Sequence, residues 1–240
     1  MHIADSRRLT GGNLQSVNPC AVAEVQFDPG ENPEAVLDAW RHQLDRLYAE
    51  LDLAFGTPFI RLYHGGACIG FDAPIDALYA ATEINEYAID QASNRVTADR
   101  QAKLDQLKAA LNEESNPRLL ELQREAHQRD CPFLWDDDQV SIGFGQYARV
   151  WDAAKLPRAK DVDWPTNCRI PVAMITGTNG KTTTSRMLTR ILITSGLSVG
   201  STSTDGVCIN EEIVESGDWT GTGAARMVLR RSDISAAVLE

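Results

Sequence analysis

Residues 175–184, Ile-Thr-Gly-Thr-Asn-Gly-Lys-Thr-Thr-Thr, decide the fold of the last third of the chain. They follow an apolar run at 170–175 that predicts a buried strand, and they precede 185–195, whose apolar spacing predicts a helix. A strand, a glycine-bearing turn, Lys-Thr and a helix are together typical of a phosphate-binding loop. The segment therefore predicts an α/β fold in which a parallel sheet, flanked by helices, carries this loop.

Each residue type in the loop has a chemical reason for its place. Gly177 and Gly180 allow a tight turn that directs backbone N–H groups at phosphate oxygens, next to the positive end of a helix dipole. Lys181 is expected to reach the terminal phosphates as the catalytic cation, and the Thr182 hydroxyl to bind Mg²⁺. The expected phosphate-binding set is Thr176, Gly177, Thr178, Asn179, Gly180, Lys181, Thr182 and Thr183.

The loop departs from the commonest spacing of such loops. The pattern G-x-x-x-x-G-K-[ST] requires glycine at position 175, where this chain has Ile175. The alternative to a nucleotide site is a turn between a strand and a helix that happens to expose a lysine. The flanking strand and helix favour the nucleotide site.

A second chemical feature is the acid at the end of the run 234–239. Glu240 follows this predicted strand, and the carboxyl ends of parallel strands are where open α/β sheets bind ligands. We expect Glu240 to hold Mg²⁺, against the alternative of a solvated strand end. Thr220 lies in the hydroxyl-rich run 217–223 and is a further metal candidate, although from spacing alone Thr220 or Thr222 serves equally well as a helix cap.

The remainder of the chain predicts a different organisation. Residues 1–19 are polar and contain Gly11-Gly12, which predicts an irregular lead-in. Residues 20–151 alternate strand and helix patterns and predict a smaller α+β domain. Residues 152–168 carry two prolines and several charges and predict a linker, so that 169–240 form the nucleotide-binding part.

Local signals within 20–151 are specific enough to test. Either Asn32 or Glu31 is a candidate cap for a helix that has Pro33 in its first turn and runs to about Phe55. Hairpins are predicted at 58–71, around Gly65-Gly66, and at 140–151. The run 136–138, three aspartates, predicts an exposed turn before a strand in preference to a metal site.

Composition narrows the classes of function. Hydrophobic residues at 43% and charged residues at 24% are ordinary for a soluble globular protein. A formal net charge of −11 disfavours a general nucleic-acid binder. The sequence contains no apolar run of signal-peptide or membrane-span length, so we expect a cytoplasmic protein without a membrane partner. The cysteines are scattered and favour free thiols over a disulfide framework or zinc site: Cys20, Cys68, Cys131, Cys168 and Cys208.

The loop at 176–183 resembles the ATP loop of the Mur ligase superfamily, which also lacks the earlier glycine. Three stretches, 203–206, 217–221 and 224–229 leading to 237–240, are similar to the cyanophycin-synthetase branch of that superfamily. The similarity extends in part to 142–149, whereas residues 1–139 resemble the family only weakly.

The resemblance implies an ATP-dependent ligase that joins a carboxylate to an amine. In such a reaction ATP phosphorylates the carboxylate, and an amino acid or peptide amine attacks the acyl phosphate. Carried over by motif, Lys181 neutralises phosphate charge, Thr182 and Glu240 are Mg²⁺ ligands, and Thr220 lies near the metal. The implied partners are ATP, Mg²⁺ and the two substrates. The resemblance does not decide whether the protein forms a homo-oligomer.

Three departures limit this expectation. Thr222 stands where the family usually has proline, and 152–168 is too short for the ATP-grasp module of the cyanophycin-synthetase branch. The chain stops at Glu240, before the family's remaining strands and closing domain, so we expect an inactive fragment of a longer ligase. The alternatives are a P-loop NTPase, a nucleotide-binding regulatory module, or a chain in which 20–150 serve in binding or dimerisation.

Overall fold

The structure, a computed structural model, describes residues 1–95 and 99–240. The chain forms two compact units, Met1–Leu120 and Glu121–Glu240. The division predicted from the sequence, with its linker at 152–168, stays a prediction. Among the helices of the described ranges, none combines the length and the apolar character that crossing a membrane requires.

The first unit combines an antiparallel sheet with helices, as an α+β pattern predicts. Its four strands lie in the order β1-β2-β4-β3. The hairpin predicted at 58–71 is confirmed, since two antiparallel strands pair on either side of Gly65. The elements are β1 (His2–Leu9), β2 (Cys20–Gln26), α1 (Pro33–Leu51), β3 (Pro58–Tyr63), β4 (Gly66–Asp72), α2 (Leu78–Ala92) and α3 (Arg100–Glu114).

The expectation of an irregular lead-in at 1–19 is wrong for its first half. β1 pairs antiparallel with β2 from His2, opposite Gln26, to Leu9, opposite Cys20. Its side chains are mostly polar because β1 is an edge strand, so the apolar alternation that marks a half-buried strand is missing. The hydrogen-bonded pairing with β2 defines this strand, although its sequence lacks the alternation of apolar and polar residues.

Helix α1 begins where the sequence predicts. The Asn32 side chain accepts hydrogen bonds from the backbone N–H groups of Glu34 and Ala35, at 3.1 and 3.4 Å. The helix ends before Phe55, because Asp52 adopts left-handed backbone dihedrals (φ 54°, ψ 48°). One face of α1 packs into the core through Leu37, Trp40, Leu44, Leu47 and Leu51.

The second unit contains two sheets. One has three strands in the order β5-β6-β7, and the other has five in the order β11-β10-β9-β12-β8. The hairpin predicted at 140–151 is confirmed as β6 and β7. Helix α4 (Pro117–Gln128) spans the boundary between the units, and the further elements are β5 (Phe133–Trp135), β6 (Gln139–Ile142), β7 (Arg149–Asp152), β8 (Val172–Met174), α5 (Lys181–Thr194), β9 (Val199–Ser203), β10 (Gly206–Ile209), β11 (Glu212–Ser216), α6 (Thr222–Leu229) and β12 (Ala236–Leu239).

The five-stranded sheet is mixed, which corrects the expectation of a parallel sheet. Strand β12 lies between β8 and β9 and pairs with both in parallel, with Val238 opposite Ala173 and Ser201. Strands β10 and β11 form a hairpin that adds to β9 in antiparallel orientation. A hairpin pattern in the sequence does not reveal which sheet the hairpin joins, and this one extends the edge of the parallel strands.

Helices cover both faces of this sheet. On one face Leu188 and Leu192 of α5 pack against buried Val199 and Val238. On the other face α6 contributes to a larger cluster of buried residues: Ile170, Val207, Ala224, Val228, Leu229, Ile234, Ala237 and Leu239. Because β8 and β12 are parallel neighbours, the residues that follow them, 175–180 and Glu240, meet at one edge of the sheet.

Candidate functional site

The loop between β8 and α5 is fixed at its start by the sheet. The backbone N–H of Ile175 donates to the Leu239 carbonyl at 2.8 Å, which continues the pairing of β8 with β12. Gly177 and Gly180 then have φ angles of +147° and +78°. A side chain is strained in this region of backbone space, so the two positions require glycine. The residues between them and at Thr176 are exposed.

Helix α5 presents its N-terminus at this edge. Lys181 is its first residue, and Gly180 precedes it without a side-chain cap. The Thr184 N–H donates to the Gly180 carbonyl at 3.0 Å. The N–H groups of Lys181, Thr182 and Thr183 precede that bond and have no acceptor within the helix. With the helix dipole, they make the loop a favourable place for an anion.

Thr182 and Glu240, which are 58 residues apart in sequence, are hydrogen-bonded. The Thr182 hydroxyl donates to Glu240 Oε1 at 3.1 Å. The Glu240 backbone N–H donates to the hydroxyl of Thr202, a buried residue of β9, at 3.0 Å. The other carboxylate oxygen of Glu240, Oε2, is buried and has no hydrogen-bond partner. A buried, unpaired carboxylate oxygen beside a hydroxyl is a donor set that suits a hard cation such as Mg²⁺.

Any cation here would need further ligands from outside the chain. Within residues 1–95 and 99–240, no three His, Cys, Asp or Glu side chains converge as a metal site. Thr182 and Glu240 supply two oxygen ligands, whereas Mg²⁺ takes six and usually shares them among protein, water and phosphate. The donor set therefore fits a cation that arrives with a phosphate group.

Thr220 is placed apart from this pair. Its hydroxyl donates to Asp218 Oδ1 at 2.7 Å, and the residue is exposed. The Trp219 N–H donates to the Ser203 carbonyl at 3.1 Å, which holds the loop at the end of β9. Gly221 occupies the N-cap of α6, so neither Thr220 nor Thr222 has the capping position that the sequence left open. A metal role for Thr220 stays a prediction.

A cavity of about 280 Å³ lies beside the site, between α5 and strands β9 and β10. Its lining includes Thr202, which contacts Glu240 directly. Ser185 and Thr189 of α5 also line it, and both hydroxyls are buried without a hydrogen-bond partner. The role of Thr202 was not predicted: the run Ser-Thr-Ser-Thr at 201–204 marks a hydroxyl-rich strand end, but spacing does not show which hydroxyl faces Glu240.

Comparison with known proteins finds similar sequences for this part of the chain. The family description "Mur ligase middle domain" matches residues 175–240, which contain the loop, α5 and Glu240. A 32% identical segment of 102 residues relates 38% of this chain to 24% of the UDP-N-acetylmuramoyl-L-alanyl-D-glutamate--2,6-diaminopimelate ligase of Wolinella succinogenes. Residues 175–240 are therefore similar to the middle domain of Mur ligases.

Part of the chain is also similar to cyanophycin synthetases. It is 52% identical over 75 residues to the enzyme of Synechocystis sp., which covers 31% of this chain and 9% of that relative. It is 48% identical over 109 residues to the enzyme of Geminocystis herdmanii, which covers 42% of this chain and 12% of the relative. The match thus spans about a tenth of the length of these relatives.

Proposed function

We propose that residues 169–240 form the ATP-binding part of a ligase that joins a carboxylate to an amine. The observation that carries the proposal is the pairing of Thr182 with Glu240 directly beside the open N-terminus of α5. One side of this arrangement offers N–H groups and Lys181 to an anion, and the other offers oxygens to a cation. Magnesium-bound nucleotide phosphates need both at once. The similarity to cyanophycin synthetases supports the ligase reaction over other uses of such a site.

In the proposed reaction the chain mainly positions and neutralises charge. The N–H groups of 176–183 would hold the β- and γ-phosphates of ATP, and Lys181 would stabilise the charge that develops on the transferred group. Thr182 and Glu240 would hold Mg²⁺, which supplies further neutralisation of the phosphate oxygens when bound. The γ-phosphoryl group passes to the substrate carboxylate, ADP leaves, and the amine attacks the acyl carbon and expels phosphate.

The binding step can be tested on this chain. We expect MgATP to raise the melting temperature of the wild-type protein, because a ligand that binds only the folded state stabilises it. Lys181→Ala should weaken binding about tenfold to a hundredfold, since hydrogen bonds to charged groups contribute about 1.5–3 kcal/mol. Lys155→Ala, at an exposed lysine outside the loop, is the matched control. Equal MgATP affinity in the wild type and Lys181→Ala would contradict the proposal.

The reaction itself needs a separate measurement. ADP release from ATP should depend on adding both a carboxylate and an amine, drawn from a panel of amino acids and short peptides, in a protein that contains this region and its natural flanking sequence. ATP hydrolysis at the same rate without any acceptor would favour a P-loop NTPase. Tight nucleotide binding without turnover would favour a regulatory module.

A further inference from the structure

Two thiols from distant parts of the sequence meet in the second unit. Cys131 lies between α4 and β5, and Cys168 lies in the segment that leads to β8. Both are free cysteines, and their thiols are close enough for each to influence the other electrostatically. Two neighbouring free thiols are chemically different from two scattered ones, because each can react with the other.

The backbone around the thiols holds them in place. The Phe144 N–H donates to the carbonyl of Cys168 at 2.9 Å, and the Gly143 N–H donates to the carbonyl of Pro132 at 2.8 Å. Phe144 thus hydrogen-bonds to Cys168 itself, and its neighbour Gly143 hydrogen-bonds to Pro132, the residue that follows Cys131. The backbone pairing therefore holds the two cysteines in neighbouring segments of the chain.

A side-chain contact closes the same junction from the other side. The Arg169 guanidinium donates to the carbonyl and to Oδ1 of Asp130, at 3.0 and 2.7 Å. The neighbours of both cysteines are therefore bonded to each other as well. Anchors on both sides favour closure of the thiols to the bonded S–S distance of about 2.05 Å without a large movement of the chain.

The two thiols differ in their access to solvent. Cys131 is 5% exposed, and its burial, together with the neighbouring Cys168 thiol, raises its pKa to about 12. Cys168 is half-buried, and its Sγ donates to the Pro165 carbonyl at 3.4 Å. A dissolved oxidant can therefore reach Cys168 first, while Cys131 lies behind it as the second thiol of the pair.

We propose that Cys131 and Cys168 form an intramolecular disulfide when the protein meets a peroxide. The Cys168 thiolate attacks one peroxide oxygen, the O–O bond breaks, and Cys168 becomes a sulfenic acid while hydroxide takes up a proton to give water. The Cys131 sulfur then attacks the Cys168 sulfur, the S–O bond breaks, and the oxygen leaves with the Cys131 proton as a second water. Two thiols lose two electrons in total, and hydrogen peroxide is reduced to two waters.

The disulfide would join the end of α4 to the segment that enters β8. Sheet β5-β6-β7 lies between these positions in sequence, and β8 leads directly into the loop at 175–180. The cross-link would therefore constrain the chain on the amino-terminal side of the proposed nucleotide site. It constitutes a modification site that is separate from Lys181, Thr182 and Glu240.

The other cysteines provide internal controls. In the pairing of β2 with β4, Cys68 lies opposite Glu24 and Cys20 lies opposite Asp72. Cys20 and Glu24 are four residues apart on one strand, which separates Cys20 from Cys68 by about 13 Å at 3.3 Å per residue. That distance excludes a disulfide between them without unfolding. Cys208 is on β10, in a different part of the second unit.

The experiment treats the full chain with hydrogen peroxide, blocks remaining thiols by alkylation and maps the peptides by mass spectrometry. We expect a peptide pair that joins Cys131 to Cys168 with a loss of two hydrogens, and alkylated Cys20, Cys68 and Cys208. Cys131→Ser and Cys168→Ser should each abolish the linked pair, whereas Cys208→Ser should leave it unchanged. Before oxidation, phenylarsine oxide should bind once per chain, and either serine variant at the pair should remove that binding.

Two outcomes would overturn the proposal. One is a wild-type protein in which peroxide leaves both thiols open to alkylation. The other is a Cys168 that proceeds to sulfinic acid, or links to a second chain, while Cys131 stays alkylatable. Both are observed on the wild-type protein, so they hold even if a serine variant fails to fold.

Discussion

At the residue scale, the surroundings of the Glu240 carboxylate are those of a ligand-binding group. Its Oε1 accepts from Thr182, its backbone N–H is held by Thr202, and its Oε2 is buried without a partner. An unpaired buried acceptor costs about 1–3 kcal/mol, and more for a charged group. A bound cation would remove that cost, which makes metal dependence the property to test.

Glu240→Gln should make ATP binding insensitive to Mg²⁺. The amide keeps an oxygen that can accept from Thr182 but removes the charge that a divalent cation needs. Wild-type affinity for a fluorescent ATP analogue should fall at least tenfold when EDTA replaces Mg²⁺, and the variant should bind with the weaker affinity in both conditions. Glu212→Gln, at an exposed acid of β11, is the control. A variant that keeps the full Mg²⁺ effect would exclude Glu240 as a ligand.

Two buried threonines allow a matched test of hydroxyl partners. Thr202 and Thr189 are 1% and 4% exposed. The Thr202 hydroxyl accepts from the Glu240 N–H, whereas the Thr189 hydroxyl has no hydrogen-bond partner. Thr202→Val should destabilise the fold by about 1–3 kcal/mol because it leaves that N–H unpaired. Thr189→Val should be neutral or stabilising, since it removes an unpaired hydroxyl while keeping the shape. Urea denaturation measures both, and equal losses would indicate that Thr189 bonds water in the cavity.

At the element scale, the N-terminus of α1 gives a clean test of capping. Asn32→Ala should lower the free energy of unfolding by about 1 kcal/mol, because it removes the acceptor for the N–H groups of Glu34 and Ala35. Asn32→Asp should retain most of the stability, since aspartate caps as well and its charge is favourable at a helix N-terminus. Thermal unfolding followed by circular dichroism distinguishes the two variants. Equal destabilisation by both would show that the cap contributes through another contact.

Local signals in the sequence were reliable where the structure is itself local. The start of α1 at Asn32 or Glu31, the turn at Gly65 and the helix after Gly180 are each predictable because their determinants lie within a few residues, and the structure selects Asn32 as the cap. The contact between Thr182 and Glu240 is also predictable from the sequence. The loop that leads to Thr182 follows β8 and Glu240 follows β12, and the carboxyl ends of parallel strands lie at one edge of a sheet. Assignment of Lys181 and Thr220 to catalysis and metal binding stays a prediction.

The structural features that the sequence does not predict are contacts between residues that lie far apart in the chain. The polar edge strand β1 is defined by its pairing with β2, and the hairpin of β10 and β11 by the sheet that it joins. Asp136 makes both a local contact, which the sequence predicts, and a distant contact, which it does not. The prediction of a turn is correct, since its Oδ1 accepts from the N–H groups of Asp138 and Gln139. Its Oδ2 pairs with Arg230, 94 residues later, and no local pattern reports such a contact.

At the scale of the whole molecule, that pair helps to hold the second unit together. Arg230 follows α6 on the five-stranded sheet, and Asp136 precedes β6 of the three-stranded sheet. The guanidinium also donates to the Gln139 carbonyl at 2.9 Å and to the Ser141 hydroxyl at 3.3 Å. One side chain, 9% exposed, therefore bonds to the turn and to the strand of the neighbouring sheet.

Replacing Arg230 should destabilise the second unit far more than replacing its neighbour. Arg230→Met removes a buried cation and leaves Asp136 and the Gln139 carbonyl short of a donor, so we expect a loss of about 2–4 kcal/mol. Arg231→Met removes an exposed pair with Asp233, whose side chains are 38% and 51% exposed, and should cost less than about 1 kcal/mol. Hydrogen exchange resolved by peptide would localise the difference, with β5, β6 and α6 losing protection in Arg230→Met. Similar losses in the two variants would mean that apolar packing at Ile170 and Ile234, and not this ion pair, joins the two sheets.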